Sequence, residues 1–171
     1  MNILITSAGI RGYIIEFFKD SLRNKAKVFT ADCNKYAPAL YNADDFFILP
    51  HLDKSNYIDE LLKLCLNNQI KTIVSLNDKE LPILAKEKDN FNKRGIKVII
   101  SNPEVIEICY DKYKTYNFLR DNQFPFPKTF VCVENVLNEI KQGNLNFPLL
   151  IKPRRGSASQ GIKKVLTIKE L

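Results

Sequence analysis

"NILITSAGIRGYIIEFFKDSLRNKAKVFTAD", residues 2–32, holds the pattern that decides the fold. An apolar run (2–6) leads into a small-residue turn with Gly9 and Gly12. Ile14, Phe17, Phe18 and Leu22 then follow at helical spacing, and a second apolar run closes on Asp32. Strand, helix, strand is the unit of a parallel sheet, because two parallel strands need a crossover between them. The alternation continues downstream: "DFFILP" (45–50), "KTIVSL" (71–76) and "IKVII" (96–100) read as further strands. They are nearly continuous in apolar character, as strands covered on both faces are. Ile58, Leu61, Leu62 and Cys65 keep helical spacing between two of them. The expected fold is therefore α/β, a Rossmann-like doubly wound parallel sheet over residues 1–110. "SNP" at 101–103 ends the pattern, which puts a boundary near 101–111.

From Asp111 the texture changes. "DKYKTYNFLRDNQF" is an amphipathic helix with Tyr113, Tyr116 and Leu119 at helical spacing. "PFPKTFVCV" (125–133) reads as a strand, "FPLLIK" (147–152) as another, and "IKKVLTI" (162–168) as a third after the loop "GSASQG". From residue 128 onward the order is strand, helix, strand, loop, strand, with no internal repeat or Gly/Ser linker.

With 171 residues and 45% hydrophobic content, the chain can bury a sizeable core. The start lacks a charged segment followed by a long apolar run, and no stretch approaches eighteen consecutive apolar residues. A cytoplasmic protein without a membrane partner is expected. Cys33, Cys65, Cys109 and Cys132 form no CxxC pair and His51 is the only histidine, so no zinc spacing exists; four reduced thiols are the expectation. The net charge is +7, and six of those seven excess charges fall in 111–171. Such asymmetry suits an anionic partner there, either nucleic acid or a polyphosphate.

Strand exits at a sheet's carboxyl edge are where ligands meet a doubly wound fold. Those exits supply the candidate substrate-binding residues Ser7, Gly9, Arg11, Asp32, Asn77 and Asp78. Gly9 and Gly12, with Asp32 twenty residues after Gly12, come near the dinucleotide fingerprint, but Ala8 and a missing first glycine depart from it. A tight turn accounts for the glycines without any ligand, and helix capping accounts for Asn77 and Asp78. The ligand-bearing version presents Arg11 to a carboxylate or phosphate at a helix N-terminus. In the second part, Lys152, Arg154, Arg155, Lys163 and Lys164 surround Gly156, Ser157, Ala158, Ser159, Gln160 and Gly161. Small residues let successive backbone N–H groups turn toward one oxyanion, and a nearby lysine adds charge. A solvated hairpin loop would also use such residues. No aromatic residue lies between Ile151 and Leu171 on which a base could stack, which counts against nucleic acid, and no nucleic-acid partner is expected.

"LLIKPRRGSASQGI" resembles the K-P-x-x-G-S-(S/A)-S-x-G-(I/V) signature of the ATP-grasp superfamily, and "DKYKTYNFLRDNQFPFPKTF" resembles the segment that precedes it there. "ILITSAGIRGYIIEFFK", "ADCNKYAPALYNADDFFILP" and "SLNDKELPILA" are similar to the pre-ATP-grasp domain of ligases like the carbamoyl-phosphate synthase large chain. The resemblance spans essentially the whole chain. It implies a pre-ATP-grasp domain over 1–110 and the start of an ATP-grasp domain, an incomplete α+β lid, over 111–171. It further implies an ATP-dependent carboxylate–amine ligase working through an acyl phosphate, with ATP and Mg²⁺ as cofactors and small-molecule carboxylate and amine substrates. Lys112 and Lys152 would approach the phosphates and Ser157 to Gly161 would close over them. No catalytic residue is assigned, because the family's metal ligands and adenine pocket lie beyond residue 171. The fragment alone is accordingly expected to be inactive, and its open lid edge favours pairing in a homodimer. Two rival readings stand beside this one: an NAD(P)- or flavin-binding Rossmann module resting on Gly9, Gly12 and Asp32, and a basic nucleic-acid-binding module.

Overall fold

A computed structural model describes residues 2–23 and 25–171. The chain divides into two compact units, one running to Pro103 and the other beginning at Glu104. The first contains β1 (Asn2–Thr6), α1 (Gly12–Leu22), β2 (Val28–Asp32), a 3₁₀ turn (Pro38–Asn42), β3 (Asp45–Ile48), α2 (Tyr57–Asn67), β4 (Ile70–Ser75), α3 (Leu81–Asn92) and β5 (Lys97–Val98). Its sheet has the order β3-β2-β1-β4-β5 with every pairing parallel. Ile3 to Thr6 lie opposite Val28 to Ala31 on one side and Thr72 to Ser75 on the other.

Alternation along β1 shows why both sheet faces are covered. Leu4 belongs to a buried cluster with Leu61 and Cys65 of α2 and Leu84 and Phe91 of α3. Its neighbours Ile3 and Ile5 pack instead with Ile15 of α1 and Ala39 of the 3₁₀ turn. Successive strand side chains point to opposite faces, so a run apolar at every position requires helices on both. Each such fully buried aliphatic or Phe side chain contributes about 1.5–3 kcal/mol relative to exposure.

The chain moves from β1 outward to β3, returns past β1, and builds β4 and β5 on the other side. The direction of winding therefore reverses between β1 and β4. A crevice opens at the carboxyl ends of strands where that reversal occurs.

The second unit holds α4 (Pro103–Tyr110), whose first residue ends the preceding unit, α5 (Lys112–Asp121), α6 (Val133–Lys141), and β6 (Leu149–Ile151) paired antiparallel with β7 (Lys163–Val165). A 3₁₀ turn, Ile168–Glu170, follows.

Two strand expectations are corrected. Residues 125–133 form no strand; Val133 instead begins α6. Pro125 and Pro127 offer no N–H to a ladder, and the segment has no neighbouring strand to satisfy its remaining backbone groups. The run at 96–100 is a strand only over Lys97–Val98, since beyond Ile99, whose N–H still reaches the Ile73 carbonyl, the chain turns away into Ser101 and Asn102.

Candidate functional site

At the winding reversal a buried carboxylate ties the exits of β1 and β4 together. Glu80, fully buried, sits just before α3. Ser7 Oγ, at the exit of β1, donates to Glu80 Oε2 at 2.8 Å, and Ser75 Oγ, the end of β4, donates to the same oxygen at 2.7 Å. The hydroxyl of Tyr57, first residue of α2, donates to Glu80 Oε1. Three hydroxyl donors from three elements thus converge on one buried charge. A buried carboxylate persists only when it is hydrogen-bonded in this way. Burial first, and the negative charge of Glu80 second, push the Tyr57 phenol far above its ordinary pKa. Ser7 adopts φ +53°, a left-handed conformation uncommon outside glycine.

The other predicted residues of this edge lie around that cluster. The Gly9 N–H donates to Asp32 Oδ2 at 3.2 Å, and the Asn34 N–H to Asp32 Oδ1 at 2.9 Å. Asp32 is thereby engaged with the backbone of its own edge. Gly12 lies close to the 3₁₀ turn: a Cβ there would stand 2.2 Å from Asn42 Oδ1, so a larger residue would have to displace the Asn42 side chain. Arg11 Nη1 donates to the Leu76 carbonyl at 3.0 Å, bridging the exits of β1 and β4. Asn77 turns its side chain onto the Lys79 N–H at 3.0 Å, a local turn, and Asp78 is exposed.

In the second unit the two sequence motifs meet. Asp111 caps α5, accepting N–H bonds from Tyr113 (3.0 Å) and Lys114 (3.2 Å). Its carboxylate is 1% exposed, and Arg154 Nε lies 2.7 Å from each of its oxygens. Burial alone would raise the Asp111 pKa. The Arg154 hydrogen bond and the Lys114 and Tyr113 N–H groups outweigh it and hold the carboxyl below its usual range. Arg155 pairs with Glu107, which also accepts from Lys114 Nζ at 3.1 Å. Hydrogen bonding from Lys114 first, and attraction to Arg155, keep Glu107 below the ordinary carboxylate value. The Lys112 N–H donates to the Arg154 carbonyl at 3.0 Å, and Lys112 Nζ donates to the Gly156 carbonyl at 2.9 Å.

Beyond Gly156 the loop curls over itself. Ala158 and Ser159 are left-handed (φ +54° and +56°), the Gln160 N–H reaches the Ser157 carbonyl at 3.2 Å, and the Ile162 N–H reaches the Ser159 carbonyl at 3.4 Å. Among the described residues, the N–H groups of Ser157, Ala158 and Ser159 have no acceptor. Gly161 is needed twice over, with φ +71° and a Cβ that would stand 2.8 Å from Pro153 Cγ. Lys152, exposed at the exit of β6, has no carboxylate partner among the described residues.

Of the five cations read around the loop, the two arginines are therefore paired with carboxylates, while Lys152, Lys163 and Lys164 have no carboxylate partner among the described residues. Sequence reading missed those carboxylates and Glu80. Asp111 carried a signal, since an Asp opening an amphipathic helix is a cap. Glu80 carried none, because a Glu at a helix start reads as a solvated residue.

A family profile described as "PylC-like, N-terminal domain" matches residues 3–99, and one described as "ATP-grasp domain" matches 109–170. The chain belongs to the ATP-grasp superfamily and opens with a PylC-like domain. This ATP-grasp chain is 26% identical over 161 residues to formate-dependent phosphoribosylglycinamide formyltransferase of Prochlorococcus marinus, covering 94% of the chain and 39% of that protein. It is 28% identical over 134 residues to D-alanine–D-alanine ligase A of Bacillus cereus, covering 72% of the chain and 44% of that protein. The solved biotin carboxylase–β,γ-ATP complex of Campylobacter jejuni shares its fold, with a TM-score of 0.73 and 18% identity over 99% of the chain and 39% of that structure. The ATP-grasp chain spans about two fifths of the length of the curated relatives it matches. Among its described residues, no helix is long and apolar enough to cross a membrane.

Proposed function

We propose that this chain is the phosphate-gripping part of an ATP-dependent ligase that joins a carboxylate to an amine or related nitrogen nucleophile through an acyl phosphate. The observation that carries the reading is the meeting of Lys112 with the loop: its ammonium stands on the Gly156 carbonyl at the start of the small-residue turn 156–161. Such an array complements a triphosphate, where charge neutralisation and positioning supply most of the catalysis of phosphoryl transfer. Lys152 and Lys112 would bind the phosphate oxygens, and Ser157 to Gly161 would fold over them and exclude water from a reactive anhydride. The resemblance to carbamoyl-phosphate synthase-like ligases belongs to this same reading.

Mg²⁺ would supply charge neutralisation at the γ-phosphoryl group. Among the described residues no cluster of three or more His, Cys, Asp or Glu is assembled to hold it, and Asp111 and Glu107 beside the loop are taken by arginines. The described residues do not fit a metal. Residues 1–171 alone are accordingly expected to bind MgATP weakly and to turn nothing over. In unit one, the β1–β4 edge with Arg11 would take the carboxylate substrate.

The test uses protein expressed from the complete reading frame, screened for ADP release that needs a carboxylate and an amine together. With the amine omitted, carboxylate-dependent scrambling of ¹⁸O between the β,γ-bridge and the β-nonbridge positions of ATP is the expected mark of an acyl phosphate. Lys152→Met should lower kcat/KM for ATP by about a hundredfold, the scale of losing a charged hydrogen-bond donor. ADP release independent of any carboxylate would sink the proposal.

A further inference from the structure

We propose that Asp111 is a positioning residue for the phosphate loop, and that Arg154 acts by holding Asp111 rather than by binding phosphate. The proposal rests on the reading of loop 156–161 as a triphosphate grip. Two adjacent arginines behind such a loop look like phosphate ligands, since guanidinium suits that geometry. Their partners assign them elsewhere. Arg154 Nε is shared between the two oxygens of a carboxylate that is 1% exposed and that also accepts two backbone N–H bonds. A carboxylate so buried gives up its cation only at large cost. Arg155 faces Glu107 and stands 3.7 Å from Asp111 Oδ2.

The contact has a directional result. Asp111 and Arg155 pair as an antiparallel bridge, and the Lys112 N–H between them bonds the Arg154 carbonyl. Lys112 is thus tied to the loop's base by its own main-chain N–H, next to the Asp111–Arg155 bridge and the Asp111–Arg154 ion pair. From there its side chain reaches the Gly156 carbonyl at 2.9 Å. Glu107 and Asp111 engage the two arginines, so the cations near the loop without a carboxylate partner among the described residues are lysines: Lys112, Lys152, Lys163 and Lys164.

Asp111→Asn tests this with opposite signs. Asparagine still caps a helix, so α5 keeps its N-terminus. If Arg154 were a phosphate ligand, removing its competing carboxylate would leave KM for ATP equal or lower in the protein from the complete reading frame. The positioning role predicts instead a rise of about tenfold in KM for ATP, the scale of one charge-assisted contact, with KM for the other substrates unchanged. The double variant Asp111→Asn/Arg154→Gln should then bind ATP no worse than the weaker single variant; independent, additive losses would overturn the proposal. A nucleotide-free arm uses ¹⁵N relaxation of Gly156 to Gly161 in the 171-residue chain. Order parameters there should fall in Asp111→Asn, and unchanged values would overturn the positioning role. Absence of ATP turnover in the unmodified protein would defeat the ligase reading and leave the relaxation arm to decide the role of Asp111.

Discussion

Replacing Tyr57 by Phe removes one oxygen from the Glu80 cluster and changes nothing else in shape. Tyr57 is 3% exposed and Glu80 is fully buried, so no water takes the place of the lost donor. A hydrogen bond to a charged group is worth about 1.5–3 kcal/mol, and leaving a buried carboxylate short of a donor puts the loss in that range. A loss of ~2 kcal/mol corresponds to roughly 10 °C in Tm for a unit of this size. Urea unfolding of the 171-residue chain at pH 7 should show the midpoint falling with an unchanged slope. The same variant has a second reading. The folded pKa of the phenol is raised, so its contribution is fully present below the unfolded value of about 10 and declines as pH rises above it, by about 1.4 kcal/mol per pH unit. Tyr57→Phe abolishes that alkaline decline. The buried Cys65 thiol, pushed up to about 12, gives its own alkaline decline in both proteins, and the difference between them isolates Tyr57. A midpoint shift worth less than about 0.5 kcal/mol, or an alkaline limb of unchanged slope, would refute the reasoning.

Gly161→Ala combines an unfavourable φ with contact against Pro153, and should cost about 1–3 kcal/mol in stability while raising KM for ATP, read by chemical denaturation and initial rates. Acid should loosen the second unit through Asp111. Its folded pKa is depressed, so the stabilisation is complete above the unfolded value of about 3.9 and disappears as pH falls through the lower folded value. An acid titration followed by the amide signals of Tyr113 and Lys114 should show this limb, and Asp111→Asn should remove it.

The sheet was legible because strands buried on both faces and helices with one apolar stripe leave different periods in the sequence. Residues 2–6 and 70–75 are plain examples, with Leu4 and Ile73 deep in the core. The segment 125–133 misled because apolar character alone does not make a strand; a partner edge is also needed. The loop was legible as glycine, serine and lysine. The neutralisation of Arg154 and Arg155 was not, since their carboxylates lie 43 and 48 residues away and no local pattern links them. Glu80 is a similar case: Ser7 sits 73 residues from it, and only topology brings the ends of β1 and β4 together.

The stitch between Asp111 and residues 154–155 also ties off a neck. Everything from the start of α5 through α6 to the end of β6 is an excursion that leaves and returns at that point. Doubling the length of such a closed excursion adds only about 0.6 kcal/mol of closure entropy. The stretch 124–132, with no strand ladder to preserve, is therefore where the chain can accept added residues or a grafted epitope while the loop at its neck keeps its shape.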